Sequence, residues 1–300
     1  MDIRVLRYFL AVAREQSFSV AAERLFLSQP TLSRQLRELE EELGKTLLIR
    51  SNKGVTLTEE GMILRKRAEE IVELLDKTEQ EVRQSSDHIS GKVYIGAGET
   101  YAVRLIADTA KRIQAEHPDV TYSLYSADAT DVLERLERGI IDFGIIFRSY
   151  DTIKYDGMEI PLKDSFGLLM RRDHPLAEKP CVTLEDLAYL PLITPKQQNH
   201  QELLKRFGLS EEKKRVVAEY NLVYNGSVMA REGLGCCLCF DRLINVSGDS
   251  EMCFRPLSPA LEVGCCFVWK RYTVFTKAAQ LFLECFRETV AQVSPEEMQC

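Results

Sequence analysis

Residues 18–44 read FSVAAERLFLSQPTLSRQLRELEEELG and predict two short helices joined by a tight turn. Phe26 and Leu27 bridge the turn. Ser28 is placed to cap the second helix, and Pro30 is tolerated in that helix's first turn. The buried side of the first helix is marked by Val20, Ala21, Ala22 and Leu25.

The second helix has two chemically different sides. A narrow apolar stripe is formed by Leu32, Leu36, Leu39 and Leu43. The far side carries Gln29, Pro30, Ser33, Arg34 and Arg37. A buried stripe backed by short polar and guanidinium side chains suits a helix-turn-helix that enters a DNA major groove. An ordinary helical hairpin with a solvated face is the alternative, and the residues that follow argue against it.

The next segment, residues 46–61, predicts two short strands around a turn at 51–54. This is a β-wing, with Arg50 and Lys53 positioned to meet the phosphate backbone. Thr58 then caps a helix that runs to about residue 84. We interpret it as a dimerisation helix and not as one packed on its own domain, because roughly 26 residues span about 40 Å. Its 4-3-4 apolar spacing predicts a coiled-coil seam at Leu64, Ala68, Ile71, Leu75 and Val82.

The rest of the chain alternates strands with helices after a polar linker at 85–91. The first run predicts strands at 93–97, 120–125 and 142–147 and helices at 103–115 and 131–138. The second run predicts strands at 166–170, 192–193, 216–220, 236–240 and 263–269 and a last helix at 275–293. The predicted fold class is therefore α/β overall, with a mostly α winged helix-turn-helix at the N-terminus.

Composition and charge limit the possible functions. No apolar run is long enough to span a bilayer and no signal-peptide pattern is present, which predicts a cytoplasmic protein without a membrane partner. Residues 1–58 carry a charge of +2, which leaves −9 for the remainder of a chain whose net charge is −7. A weakly basic head is compatible with DNA binding through a local patch and predicts modest non-specific affinity.

The sequence offers little evidence for metal or catalytic chemistry. All nine cysteines lie beyond residue 180, and an odd number without a paired framework favours reduced thiols. Cys236, Cys237 and Cys239 invite a metal or redox interpretation, but alternation in a strand points Cys237 away from Cys236, so small core residues are favoured. The histidines are scattered, and no Ser/His/Asp set stands out. We therefore predict no metal, no cofactor and no enzymatic activity.

One set of residues is specific when taken together: Phe18-Ser19, Ala21-Ala22, Leu25, Ser28-Gln29-Pro30, Ser33, Leu36, Leu39-Glu40, Leu43-Gly44, Arg50, Leu57-Thr58 and Gly61. Weaker downstream matches are Gly139, Asp142, Gly144 and Gly233-Leu234-Gly235. With these residues the chain resembles a LysR-type transcriptional regulator over its whole length.

The resemblance implies a domain order. The chain would begin with a winged helix-turn-helix at 1–58, continue with a linker and dimerisation helix with a hinge at 59–90, and end with a periplasmic-binding-protein-like effector-binding domain at 91–300. Lobe one of that domain would be 91–161 plus 263–300, and lobe two 162–262. Such regulators bind a palindromic operator in double-stranded DNA as homodimers or homotetramers, respond to a small-molecule effector between the lobes, and contact RNA polymerase.

The resemblance also implies the site residues. For DNA, we expect base contacts from Gln29, Pro30, Ser33 and Arg34 and backbone contacts from Ser28, Thr31, Arg37, Arg50 and Lys53. Arg37 equally fits an intrahelical pair with Glu41. For the effector, family position implies Thr100, Tyr101, Asp128, Ala129, Thr130, Phe147, Arg148, Thr194, Lys196, Gln197, Asn221 and Tyr224. Each hydroxyl among these has a plain helix cap as its alternative role.

The sign of the effector's charge stays open in the sequence. Helix N-termini and Arg148 favour a carboxylate, whereas Glu99 and Asp128 oppose one. A peroxide-sensing member would carry a reactive cysteine after residues 192–193, and this chain has none there. The rival hypothesis is a two-lobed enzyme or small-molecule carrier with an appended winged helix. A catalytic constellation in the cleft, or failure to bind any operator, would favour it.

Overall fold

The computed structural model describes residues 1–51, 54–83, 88–147, 149–188, 190–196, 208 and 215–293. The chain divides into two compact units, Met1–Ser85 and Ser86–Cys300, and each is described by itself. Within these described ranges, every helix falls short of the length and apolar character that a membrane span requires.

The first unit is a winged helix-turn-helix with a long helix after it. Its elements are α1 Ile3–Glu15, α2 Phe18–Arg24, α3 Gln29–Leu43, β1 Leu48–Ser51, β2 Gly54–Leu57 and α4 Glu59–Arg83. As predicted, the two strands pair antiparallel, with Ser51 opposite Gly54. The Thr58 hydroxyl accepts the Gly61 N–H at 2.9 Å, and Gly44 ends α3 at a φ of +62°. Any side chain at position 61 would meet the Leu47 carbonyl oxygen at 2.2 Å, so only glycine fits there.

The apolar stripe of α3 forms the centre of this unit's core. Leu32, Leu36 and Leu39 are buried against α1 and α2, as predicted. Val20 and Leu43 were also expected inside, and this expectation is wrong because each is 41% exposed. At about 100° per residue, Val20 lies about 100° around α2 from Ala21 and about 160° from Ala22. Leu43 is the last residue of α3, where the helix stops at its glycine cap.

Helix α4 packs along α1, and this packing uses two of the residues that were predicted for the dimer seam. Ala68 is fully buried and Leu64 packs on the core of the head, so these two residues serve their own domain. An ion pair between Arg7 and Asp76 also joins the two helices. Ile71 and Val82 remain exposed, Leu75 is half-buried, and the additional exposed apolar residues on α4 are Met62, Ile63 and Leu74. The apolar surface left for a partner therefore differs from the predicted seam.

The second unit is α/β with one continuous sheet. Its strands are β3 Gly91–Ala97, β4 Val120–Ser126, β5 Phe143–Ile146, β6 Tyr155–Arg171, β7 Val182–Thr183, β8 Pro191–Pro195, β9 Arg215–Tyr220, β10 Cys236–Phe240, β11 Met252–Ser258 and β12 Glu262–Lys270. Its described helices are α5 Val103–Glu116, α6 Ala129–Glu137, α7 Leu184–Leu187, α8 Val223–Arg231 and α9 Lys277–Ala291, with a 3₁₀ turn at Pro175–Glu178. The strand order is β4-β3-β5-β12-β6-β10-β8-β9, and β11 pairs with β6 and β7.

Two long strands, β6 and β12, connect the lobes. The first half of β6 pairs with β12 and its second half pairs with β10 and β11, so one 17-residue strand serves both lobes. Leu162 packs in the core of lobe one and Val263 in the core of lobe two. The predicted boundaries at 161/162 and 262/263 therefore lie slightly off the crossover. The sequence predicts only residues 166–170 of β6 as a strand.

Strand β10 carries three cysteines that are core residues. Cys236 packs in one lobe-two cluster, and Cys237 and Cys239 pack in a second cluster on the opposite face. This is the alternation that the sequence predicted. All three are buried, and the Sγ of Cys236 lies 3.7 Å from His174 Nε2.

Candidate nucleic-acid interface and effector cleft

The polar side of α3 is open to solvent. Gln29, Pro30, Arg34 and Arg37 are exposed. The ion pair on this helix joins Arg34 Nε to Glu38 at 3.8 Å, while the Arg34 side chain remains 70% exposed. Such an exposed pair is worth little, so Arg34 is available to a base edge. Arg37 is one turn away on the same side, and the expected alternative pairing with Glu41 does not form in this described helix.

The start of α3 is held by hydroxyl groups. The Ser28 Oγ accepts the Thr31 N–H at 3.4 Å and lies 2.8 Å from the Thr31 Oγ1. This is the predicted cap, and it leaves the exposed Ser28 hydroxyl beside the first turn of the helix. Backbone N–H groups and hydroxyls at a helix N-terminus are suited to a phosphate.

Arg50 fixes the wing against both helices of the motif. Its Nη1 donates to the Ser33 Oγ at 2.9 Å, and its guanidinium carbon lies 4.1 Å from the centre of the Phe18 ring. Arg50 is nevertheless exposed, so the same group can face a phosphate from a preset position. Lys53, the other predicted wing cation, lies outside the described residues.

Glu40 joins α3 to the wing, a role that the sequence does not predict. One oxygen of its carboxylate accepts the N–H groups of Leu47 and Leu48, at 2.7 and 3.0 Å. In the sequence, Glu40 stands out only as part of the family motif. A half-buried acidic residue near the end of an amphipathic helix was the available signal, because such a group needs partners.

The turn of the motif contains a strained residue. Phe26 adopts a φ of +54° and its side chain is 97% exposed. The Leu27 N–H donates to the Ala22 carbonyl and the Phe26 N–H to the Glu23 carbonyl, which is the Schellman pattern that favours glycine at this position. A phenylalanine in this conformation costs about 1–2 kcal/mol. Strain of this kind is often kept at functional sites.

We therefore expect Phe26→Gly to stabilise the head. Relief of the left-handed conformation outweighs the loss of an exposed ring, and the free energy of unfolding should rise by about 1 kcal/mol. Urea unfolding of the full chain, followed by a far-ultraviolet signal, measures the change. Phe26→Ala is the matched control, because it removes the ring without removing the strain. Equal stability of the two variants would contradict the argument.

A cleft of about 620 Å³ lies in the second unit, where parallel strands of both lobes end. The last residues of β3, β4 and β5 are adjacent, and so are those of β8 and β9. Ligands in open α/β sheets bind at such carboxyl ends. The lining includes Glu99, Asp128, Phe147, Lys196 and Asn221.

The cleft contains only part of the predicted effector set. Of the predicted residues, it is lined by Asp128, Ala129, Thr130, Phe147, Lys196 and Asn221. Arg148 and Gln197 lie outside the described residues. The remaining four, Thr100, Tyr101, Thr194 and Tyr224, do not line it. Thr194 is fully buried, and Tyr224 is 67% exposed beside a separate pocket of about 440 Å³.

Thr100 and Tyr101 are engaged by the strand that crosses between the lobes. The Thr100 hydroxyl donates to one oxygen of Asp164 at 2.5 Å, and the Tyr101 N–H donates to the other at 3.1 Å. The guanidinium of Arg242 lies 4.3 Å from the centre of the Tyr101 ring. These residues therefore fix the loop after β3 to β6. Thr100 and Tyr101 do not line the cleft, as direct effector ligands would.

Asp164 gives this contact a pH dependence. Burial raises the pKa of its carboxyl, and the hydrogen bonds from Thr100 and Tyr101 and the charge of Arg242 act in the opposite direction. Because the folded chain holds the proton more tightly than the unfolded chain, this group contributes stability at low pH. That contribution is lost as the pH rises above 3.8 and through the raised pKa.

We expect Asp164→Asn to remove this pH dependence. The free energy of unfolding of the native protein, relative to that of the variant, should fall from acidic to neutral pH. Chemical denaturation at a series of pH values measures it, with Asp108→Asn on the exposed side of α5 as the control. A difference that rises with pH would have the wrong sign.

Glu99 connects the two lobes, and no direct role was predicted for it. One oxygen of its carboxylate accepts the Val223 N–H, in the first turn of α8, at 2.6 Å. Burial raises the pKa of Glu99, while the bond from Val223 acts the other way. Helix α8 has no side-chain cap of its own, so a carboxylate from lobe one supplies it.

Comparison with known proteins assigns a family to both parts of the chain. Residues 3–62 match the model of the bacterial regulatory helix-turn-helix protein, lysR family, and residues 86–291 match that of the LysR substrate binding domain. The chain belongs to the LysR family. This LysR-type chain is 32% identical over 228 residues to the HTH-type transcriptional regulator BsdA of Bacillus subtilis, covering 73% of this chain and 77% of BsdA. It is 33% identical to the DNA-binding transcriptional dual regulator OxyR of Escherichia coli, over 63% of this chain and 61% of that protein.

Solved structures agree with the LysR fold. The LysR family transcriptional regulator CbnR has a TM-score of 0.75 and 20% identity, covering 97% of this chain and 99% of CbnR. Full-length CbnR complexed with its target DNA has a TM-score of 0.73 and 20% identity, covering 96% and 100%. At this identity the likeness concerns the fold. The predicted fold class and the LysR resemblance are confirmed, and the chain is a DNA-binding transcription regulator with an effector-binding domain.

Proposed function

We propose that this LysR-type regulator reads a palindromic operator as a homodimer or homotetramer, through the polar face of α3 and the wing. The observation that carries the proposal is the exposed set Gln29, Pro30, Arg34 and Arg37, backed by the fully buried stripe of the same helix. Gln29, Pro30, Ser33 and Arg34 would meet base edges, and Ser28, Thr31, Arg37, Arg50 and Lys53 the backbone. The regulator would act in the cytoplasm, where bacterial DNA lies, and would contact RNA polymerase.

The effector would bind in the cleft of the second unit and change the relation of its lobes. A ligand achieves this only through different affinities for the open and closed arrangements. The Glu99–Val223 bond already joins the lobes, and a ligand beside Glu99 would act on that bond. Closure would then alter the spacing of the two heads on their half-sites.

A peroxide-sensing function is the second candidate, because OxyR is among the relatives. Reactive cysteines need a lowered pKa and exposure. Burial instead raises the pKa of the Cys236 thiol to about 11, and burial also raises the pKa of Cys265. The sequence has no cysteine from residue 182 to residue 235. These observations favour a small-molecule effector.

Selection of bound fragments from the host genome tests the proposal. The full chain should retain a small set of fragments that share an imperfect palindrome, with half-site centres about 10 base pairs or a multiple apart. Genes beside those fragments would indicate the effector's pathway. If the recovered fragments shared no motif and bound only with the modest non-specific affinity expected of a weakly charged head, operator recognition would be contradicted.

A further inference from the structure

Carboxylates of the chain itself occupy the two helix N-termini at the cleft. Asp128 caps α6, where its Oδ1 accepts the N–H groups of Thr130 and Asp131 at 2.8 and 3.0 Å. Glu99 does the same for α8 across the lobes, through the Val223 N–H. Helix N-termini are the positions at which an α/β cleft binds an anion. Here those amide groups are already bonded to Glu99 and Asp128.

The charged residues of the cleft also disfavour an anionic ligand. The charged residues in its described lining are Glu99, Asp128, Asp131 and Lys196. Glu99 is half-buried, and burial raises the pKa of its carboxyl. An anionic ligand would therefore place a further negative charge near carboxylates, whereas a cation beside Glu99 would stabilise its ionised form.

Part of the cleft lining is aromatic. Phe240 packs between Phe166 and Phe147, with ring centres 4.4 and 5.1 Å away, and all three line the cleft. Leu243 and Ile146 add apolar surface. Phe166 and Phe240 are buried and Phe147 is half-buried, so this aromatic surface suits the apolar body of a ligand.

We propose that the effector is an organic amine, with its ammonium group bound by the Glu99 and Asp128 carboxylates and its apolar body against Phe147, Phe166 and Phe240. This assignment rests on the proposed function, in which the cleft is the effector site. It answers the question of charge that the sequence left open. The Lys196 side chain also lines the cleft and can pair with a carboxylate. An amino acid carries both groups and is therefore a further source of the same ammonium group.

Ligands with matched bodies test the proposal. Calorimetric titration of the full chain would use phenethylamine, phenylalanine and hydrocinnamate, which share one body and are a cation, a zwitterion and an anion. The same comparison is made with benzylamine and phenylacetate and with hexylamine and heptanoate. An amine or the amino acid should bind at least about tenfold more tightly than the matched carboxylate. Tighter binding of a carboxylate, or no binding by any amine at millimolar concentration, overturns the proposal.

Variants then connect the affinity with the named carboxylates. Glu99→Gln keeps an acceptor for the Val223 N–H, and Asp128→Asn keeps the cap of α6. Each should weaken amine binding about tenfold and should not weaken carboxylate binding. Glu116→Gln, on the exposed side of α5, is the matched control and should change neither. Unchanged amine affinity in both cleft variants overturns the assignment.

Operator binding separates failure of the amine proposal from failure of the proposed function. A carboxylate that binds the cleft and alters operator affinity would leave the regulator function intact and reject only the amine. An amine that binds through Glu99, with no effect on affinity for the selected operator, would reject the proposed effector response while the ligand class stands.

Discussion

Arg34→Ala should abolish the preference of this LysR-type regulator for its operator over unrelated DNA. A guanidinium can bond to both major-groove acceptors of guanine, and a good bidentate contact discriminates by about 1–3 kcal/mol, or roughly five- to hundred-fold per head. Residues 1–58 carry a charge of only +2, so few other contacts can replace it. Two heads on one palindrome would lose the contact together, and the effect should approach the square of the single-head value.

A gel shift with the selected operator and a scrambled duplex of equal length measures this preference. Arg65→Ala is the matched control, because Arg65 is an exposed arginine on α4 paired with Glu69, as Arg34 is paired with Glu38. Folding should be unaffected in both variants, since neither residue is in the core. If Arg34→Ala kept both affinity and preference, sequence recognition would have to come from other side chains of α3.

The head could be predicted closely from the sequence because its signals are local. The cap at Ser28, the stripe of Leu32, Leu36 and Leu39, and the strand pair at the wing each depend on residues a few positions apart. The wrong predictions in the head concern which side of a helix faces the core. Val20 is apolar, but its position around α2 points it outward. Burial of Ala68 was missed because it depends on α1, which precedes it by more than fifty residues.

In the second unit, the alternation of strands and helices could be predicted from the sequence, but the pairing of the strands could not. Strand β6 needs β12, β10 and β11 as partners, and those partners follow it by roughly seventy to a hundred residues. A stretch such as 155–171, with polar residues among apolar ones, gives no local signal of a 17-residue strand. The crossover between lobes is therefore a property of tertiary structure.

In the cleft, the position of the lining loops could be predicted from the sequence, whereas the direction of individual side chains could not. The loops predicted from the sequence follow parallel strands, and residues at the carboxyl ends of these strands line the cleft. Within the loop after β3, however, Glu99 lines the cleft and its neighbour Thr100 is bonded to Asp164. Adjacent residues point in different directions, and the choice between them is made by a partner more than sixty residues away.

The exposed apolar face of α4 leads to a second large effect. Ile71, Leu74 and Val82 are 40%, 41% and 80% exposed, and they lie within about 80° around the helix. A helix that leaves such a stripe uncovered is suited to a second copy of itself. We expect the dimer to form along this face and not through Leu64 and Ala68, which the head already uses.

Leu74→Lys should therefore convert the protein to monomers and weaken operator binding by about 10²–10⁴-fold, because the second head would no longer bind at the effective concentration set by the first. Lysine is a good helix former, so α4 itself should persist. Sedimentation equilibrium gives the mass, and gel shifts with full and half operators give the affinities, with half-site binding unchanged. Val274→Lys, at a 96% exposed position of the second unit, is the control and should remain oligomeric. A Leu74→Lys protein that kept both its oligomeric mass and full operator affinity would show that the heads are paired through another surface.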